Sequence, residues 1–224
     1  MPERKRTQAE EFTDALAANA VRYGLRLRDE ELARLGDYYD TVAAWNARLH
    51  LVAPCAPAEF ATRHVLESLT ALPLLDEGAR VVDVGSGAGL PVVPCLIVRP
   101  DLSATLVEAS PKKAVFLREA LRRVERHTRA RVLAERFERL PPPAADALTC
   151  RALERFDESL PALARWAAGV RTLLLFGGPA LGQRIESLAL AHEAVLMPDS
   201  EQRFLYVIST EGEKGKRSKG EEGG

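Results

Sequence analysis

The stretch Val81-Val82-Asp83-Val84-Gly85-Ser86-Gly87-Ala88-Gly89-Leu90-Pro91 decides how the rest of the chain is read. Mostly apolar residues with one acid, Asp83, run directly into glycines at every second position. That is the pattern of a buried strand entering a tight turn laid against a ligand. Glycine tolerates positive φ and places no Cβ between backbone and ligand. The amides that follow such a turn can face an anion or a polar group.

Strands alternate with helices on the C-terminal side of this turn. Strands are expected at 80–84, 103–108, 131–134, 146–150 and 170–176, with helices at 91–98, 111–127, 156–168 and 181–191. This alternation predicts an α/β fold, a mostly parallel sheet covered by helices on both faces. Two late strands, 194–197 and 204–209, have no helix between them and predict an antiparallel edge. The N-terminal side is different. Helices are expected at 7–23, 29–49 and 57–72, and Leu32, Leu35, Tyr39, Val42, Asn46 and Leu49 follow helical spacing. The expected organisation is an N-terminal helical cap (1–79), a cofactor-binding core (80–210) and a charged, disordered tail (211–224) with almost nothing apolar.

Spacing narrows the ligand. Gly85, Gly87 and Gly89 make G-x-G-x-G, not the G-x-G-x-x-G of dinucleotide sites. Asp83 can accept from a ligand's amine or order the loop through backbone amides, and a pyrophosphate site would gain nothing from its charge. Glu108 ends the next strand, where a carboxylate can accept both hydroxyls of a ribose. Ribose without pyrophosphate, beside an acid, fits S-adenosylmethionine better than NAD. Phe137 and Glu138 follow the third strand, where the adenine edge would lie; a solvated surface turn is the competing reading. Arg151 ends the fourth strand at the ligand side of an open sheet, placed to bind a carboxylate or a phosphate, or to form a structural ion pair. Lys112 and Lys113 lie beside the crevice and are the better phosphate candidates among many basic residues. His64, by itself, reads as an ordinary helical histidine. No Asn-Pro-Pro-Tyr-like motif and no paired cysteine follow the fourth strand. This weighs against exocyclic-amine and cytosine-C5 methylation. A ring nitrogen such as guanine N7 offers an in-plane lone pair, so its methylation needs alignment more than a base.

Several separate motifs in order then resemble one family. They are Trp45-Asn46 with Leu49 and Leu51, Arg63-His64 through Ser68, the glycine stretch to Pro91, Arg99-Pro100, Lys112-Lys113 with Phe116-Leu117-Arg118, Arg136 with Glu138, and Asp146 through Ala152. Together they resemble the RsmG/GidB family of small-subunit ribosomal RNA methyltransferases. The resemblance implies a class I, Rossmann-like methyltransferase fold with S-adenosyl-L-methionine as donor. It also implies methylation of guanine N7 in 16S ribosomal RNA, and cofactor contacts at Gly85, Leu90, Phe137, Glu138 and Arg151. Lys112, Lys113 and His64 become the substrate-RNA candidates. The sequence departs from the family pattern at Glu67, where Asp is usual, at Val92, where Gly is usual, and at Phe176-Gly177-Gly178, where a Lys-Gly pair usually ends the fifth strand.

Composition bounds the alternatives. The 224 residues are 46% hydrophobic, enough for a sizeable core, and a formal net charge of -1 excludes a globally basic nucleic-acid coat. Three cysteines, Cys55, Cys95 and Cys150, lie far apart with no paired spacing, which argues against a disulfide framework or a zinc site. No stretch is apolar enough to span a membrane, and no signal peptide is evident. A soluble, cytoplasmic, monomeric protein is expected, with 16S ribosomal RNA or the small ribosomal subunit as partner. A small-molecule methyltransferase and a non-catalytic ribosome-assembly module are the two other functions considered.

Overall fold

A computed structural model describes residues 6–151 and 156–210. The expected charged tail, 211–224, lies outside them. The N-terminal part holds α1 (Gln8–Asn19), whose Thr7 and Glu10 form a reciprocal capping box, and α2 (Asp29–Leu49), opened by three consecutive acids that suit a helix N-terminus. The expected third helix is irregular. Short α-turns, α3 (Pro57–Glu59) and α4 (Glu67–Leu69), flank a π-helical segment, Phe60–Leu66. A π-segment widens the helix and is a feature frequent at functional sites.

The sheet has seven strands: β1 (Arg80–Val84), β2 (Ser103–Val107), β3 (Ala130–Leu133), β4 (Ala147–Arg151), β5 (Thr172–Gly177), β6 (His192–Leu196) and β7 (Phe204–Ser209). Their order is β3-β2-β1-β4-β5-β7-β6. The first five run parallel, while β7 pairs antiparallel with β5 and β6, as the two late strands without a helix predicted. The helices between strands are α5 (Val92–Val98), α6 (Pro111–Arg123), α7 (Phe156–Trp166) and α8 (Pro179–Ser187). Strand β1 is buried at Val81, Val82, Asp83 and Val84, which is why its sequence is nearly all apolar and not alternating.

One face of the sheet shares a continuous core with the N-terminal helices. Phe12, Tyr38 and Leu66 cluster with Leu96, Phe116 and Leu106. The other face is covered by α7 and α8, whose Leu160, Leu163 and Ile185 pack with Val82, Leu148 and Leu175. The expectation of helical cover on both faces fails at one corner. The β3–β4 connection contains only a 3-10 turn, Phe137–Arg139, and then a proline run, Pro141-Pro142-Pro143. Prolines lack the N–H that a helix needs. The second face of β1, β2 and β3 therefore lines an open groove.

Candidate functional site

Register assembles the site. Val84 pairs with Val107 on one side and Cys150 on the other, and Val107 pairs with Leu133. The residues that follow, Gly85, Glu108, Arg151 and the 134–138 segment, therefore leave the sheet together at its carboxyl edge. The strand order reverses between β1 and β4, and that is where open α/β sheets bind ligands. A cleft of about 520 Å³ opens there. Gly85, Gly87, Leu90, Glu108, Phe137, Glu138, Arg151, Lys113 and His64 all line it. Gly89 and Lys112 do not. Gly89 has φ +87, and a Cβ there would stand 2.6 Å from Val93 Cγ2, so this glycine serves the packing of the turn on α5. Lys112 is exposed in the first turn of α6, off the lining.

The glycine turn is held by its own backbone. Gly85 and Ser86 donate to the Val107 carbonyl at 2.9 and 3.2 Å, and Gly89 donates to Ser86 at 2.6 Å. Gly87 has φ +51, and a Cβ there would meet nothing closer than 3.7 Å. Glu108 is buried, and its two oxygens accept from the Gly87 and Ser110 amides, each at 2.8 Å. It thus ties the turn to the start of α6, and each carboxylate oxygen keeps further acceptor capacity for a ligand. From the opposite side, buried Tyr38 on α2 donates to the Ala88 carbonyl at 2.7 Å.

Asp83 does not reach the cleft. It is sealed behind the turn, where Thr149, its cross-strand neighbour, donates to Oδ1 at 2.7 Å. Its Oδ2 is buried without a hydrogen-bond partner. Burial pushes this carboxyl up to about 7, against the lowering effect of the Thr149 hydrogen bond, while Ser86 Oγ donates to the Asp83 main-chain carbonyl at 3.1 Å. Of the two roles the sequence leaves open for Asp83, accepting from a ligand amine or ordering the loop, its burial behind the turn removes the first.

Arg151 is almost enclosed. It donates to the carbonyls of Arg63 (2.6 Å) and His64 (3.3 Å) and to Ser68 Oγ (3.3 Å), and pairs with Glu67 at 3.3 Å. Its guanidinium lies 5.7 Å from the Phe176 ring centroid. Glu67, only 2% exposed at its side chain, also accepts from Arg203 at 2.6 Å. A buried carboxylate between two arginines keeps its charge compensated. Residue 203 precedes β7, and Phe204 pairs with Gly177, so Arg203 arrives at the sheet end where β5 closes in Gly177-Gly178. No local signal marks Arg203, because its partner is 136 positions away. His64 is held neutral. Desolvation, then the charge of Arg151, push it down to about 4. Arg151 Nη2 lies 3.4 Å from His64 Nδ1, which makes Nδ1 the acceptor and leaves the proton on Nε2.

The donor set fits S-adenosylmethionine. Glu108 suits a ribose diol, Phe137 gives an apolar wall for a base, and three carboxylates (Glu108, Glu135, Glu138) face a cleft of the size small ligands use. Among the described residues, no cluster of three or more metal-ligating side chains occurs, and no helix is long and apolar enough to cross a membrane.

The chain is similar to known methyltransferases. A family model described as GidB, rRNA small subunit methyltransferase G, matches residues 31–188. A ribosomal RNA small subunit methyltransferase G from Sorangium cellulosum (strain So ce56) is 39% identical over 211 residues, spanning 91% of this chain and 84% of the relative. Another of that name, from Anaeromyxobacter dehalogenans (strain 2CP-C), is 38% identical over 183 residues, spanning 80% and 82%. A solved SAM-dependent methyltransferase from Aquifex aeolicus shares the fold, with a TM-score of 0.51 at 17% identity over 64% of this chain and 89% of the other.

Proposed function

Because the chain belongs to the GidB family of rRNA small-subunit methyltransferases, we propose that it methylates N7 of a guanine in 16S ribosomal RNA, with S-adenosylmethionine as methyl donor. The observation that carries this is the joining of Gly87, Glu108, His64 and Lys113 in one cleft at the switch point of the sheet. Glu108 and the glycine turn hold the ribose and the backbone-facing side of the cofactor, and Phe137 with Glu138 borders the base. When bound, the cofactor supplies an electrophilic methyl group.

The chain's own residues align the nucleophile. N7 already carries its lone pair in the ring plane, so orientation and exclusion of water are the main requirements. The Nε2–H of neutral His64 donates to the guanine O6 beside N7, which leaves N7 unprotonated and free to attack. Lys113 neutralises a neighbouring phosphate. Residues 6–79 form the helical cap over this cleft, and the protein works as a cytoplasmic monomer.

The test is transfer of labelled methyl to small subunits that lack the modification, followed by base analysis. Label recovered as 7-methylguanine in 16S RNA is the expected result. Absence of label from RNA, or label on another base atom, overturns the proposal.

A further inference from the structure

We propose that the open groove beneath β1–β3 is a second RNA-binding surface, taking a single-stranded segment that flanks the target nucleotide. The groove encloses about 660 Å³ on the sheet face left bare by the proline run. Among the described residues, Arg80, His127, Arg129 and Arg131 line it and no carboxylate does. Arg80 is already spent on Asp146, with contacts of 3.0 and 3.1 Å. Arg131 donates through Nε to Thr105 Oγ1 at 2.9 Å and has no acidic partner, and Arg129 has no side-chain partner at all among the described residues. Both are exposed. Two unneutralised guanidinium groups on one rim suit a phosphate backbone.

The rest of the lining suits bases. Trp166 is half-buried, with its Nε1 donating to the Leu140 carbonyl at 2.9 Å, and the proline run forms the facing wall. Aromatic and apolar walls beside cations are the combination that binds single strands without reading sequence. The groove adjoins the methylation cleft. Val107 lines both, and the edge-to-face pair Phe137–Trp166, with centroids 5.5 Å apart, separates them. The chain's own C-terminal segment, 211–224, carries four acids and four cations and has no net charge with which to compete.

This inference rests on the proposed RNA substrate, and the experiment separates the two. Arg129→Glu/Arg131→Glu, the milder Arg129→Gln/Arg131→Gln, and Lys113→Ala are compared with the parent protein. A labelled RNA containing the target and its flanking single strand is the probe, titrated from low to physiological salt. The expected result is at least a tenfold loss of RNA affinity for the Glu pair and a smaller loss for the Gln pair. A salt slope reduced by about two contacts is also expected. Binding of S-adenosylmethionine and thermal stability stay unchanged. Trimming the flanking single strand from the RNA abolishes the difference between parent and pair variants. If the pair variants bind the long RNA as the parent does while Lys113→Ala weakens it, the groove is overturned and the RNA reading stands. If no protein binds or methylates RNA, both are overturned. If deleting 211–224 raises RNA affinity in the parent but not in the pair variants, the tail occupies the groove and the proposal is overturned.

Discussion

The two walls of the methylation cleft are built differently. On one, the glycine turn, Val107 and Glu108 are joined through backbone amides within a stretch of 26 positions. On the other, Arg151, Glu67 and Arg203 are joined through charged side chains drawn from β4, the irregular third helix and the approach to β7. Backbone bonds survive most substitutions, because every residue carries the same amide. Charged side-chain triads depend on each member, since removing one leaves a buried charge without its partner. The first wall is thus fixed and fits an invariant cofactor. The second depends on the identity of each charged side chain.

Substitutions can break this contrast, and the largest effect is expected at Asp83, behind the backbone wall. An acid whose folded value is raised from 3.8 to about 7 holds its proton through the range where the unfolded chain has released it. Its stabilising contribution is present below about pH 4 and is lost as pH rises through 7. The full shift corresponds to on the order of 4 kcal/mol. Urea unfolding of cofactor-free parent and Asp83→Asn at pH 4 and pH 8 measures it: the parent should lose stability relative to the variant as pH rises. An unchanged difference would mean that the carboxyl is solvated and the wall is not sealed.

On the charged wall, Glu67→Gln leaves Arg151 enclosed without its counter-ion and should cost about 3 kcal/mol in unfolding free energy. Glu67→Asp, the residue usual in the resembling family, should cost less. A greater loss for Asp than for Gln would show that length, and not charge, is the critical property. On the backbone wall, Glu108→Gln replaces one acceptor by a donor facing an amide. Cofactor affinity by calorimetry should fall about 30-fold, or ~2 kcal/mol, because charge-assisted hydrogen bonds are the stronger kind. The smallest effect is expected for Tyr38→Phe, which removes the donor to the Ala88 carbonyl and leaves the turn otherwise intact. It should cost ~1 kcal/mol, with most of the loss appearing as weaker cofactor binding.

The same contrast explains how much of the molecule is legible in its sequence. The strand-turn-strand unit was readable because apolar run, glycine spacing and strand-end acid are all local, and parallel register then fixes where they emerge. Helix spacing placed α2 to the residue, at Asp29–Leu49. It could not reveal that Phe60–Leu66 is π-helical, since apolar positions such as Ala61, Val65 and Leu69 satisfy either winding. The spacing alone does not show that Gly89 packs against Val93 of α5 or that Lys112 lies outside the cleft lining.

By itself, then, the sequence determined the α/β architecture, the antiparallel edge and the glycine turn with Glu108, all consequences of local pattern and backbone geometry. Only the tertiary structure decided that Arg151 is clamped between Glu67 and helix carbonyls, that Arg203 completes that pair, and that one corner of the sheet is bare. Those features depend on which distant side chains meet, 84 positions apart for Arg151–Glu67 and 136 for Arg203–Glu67, and no periodicity encodes a meeting of that kind.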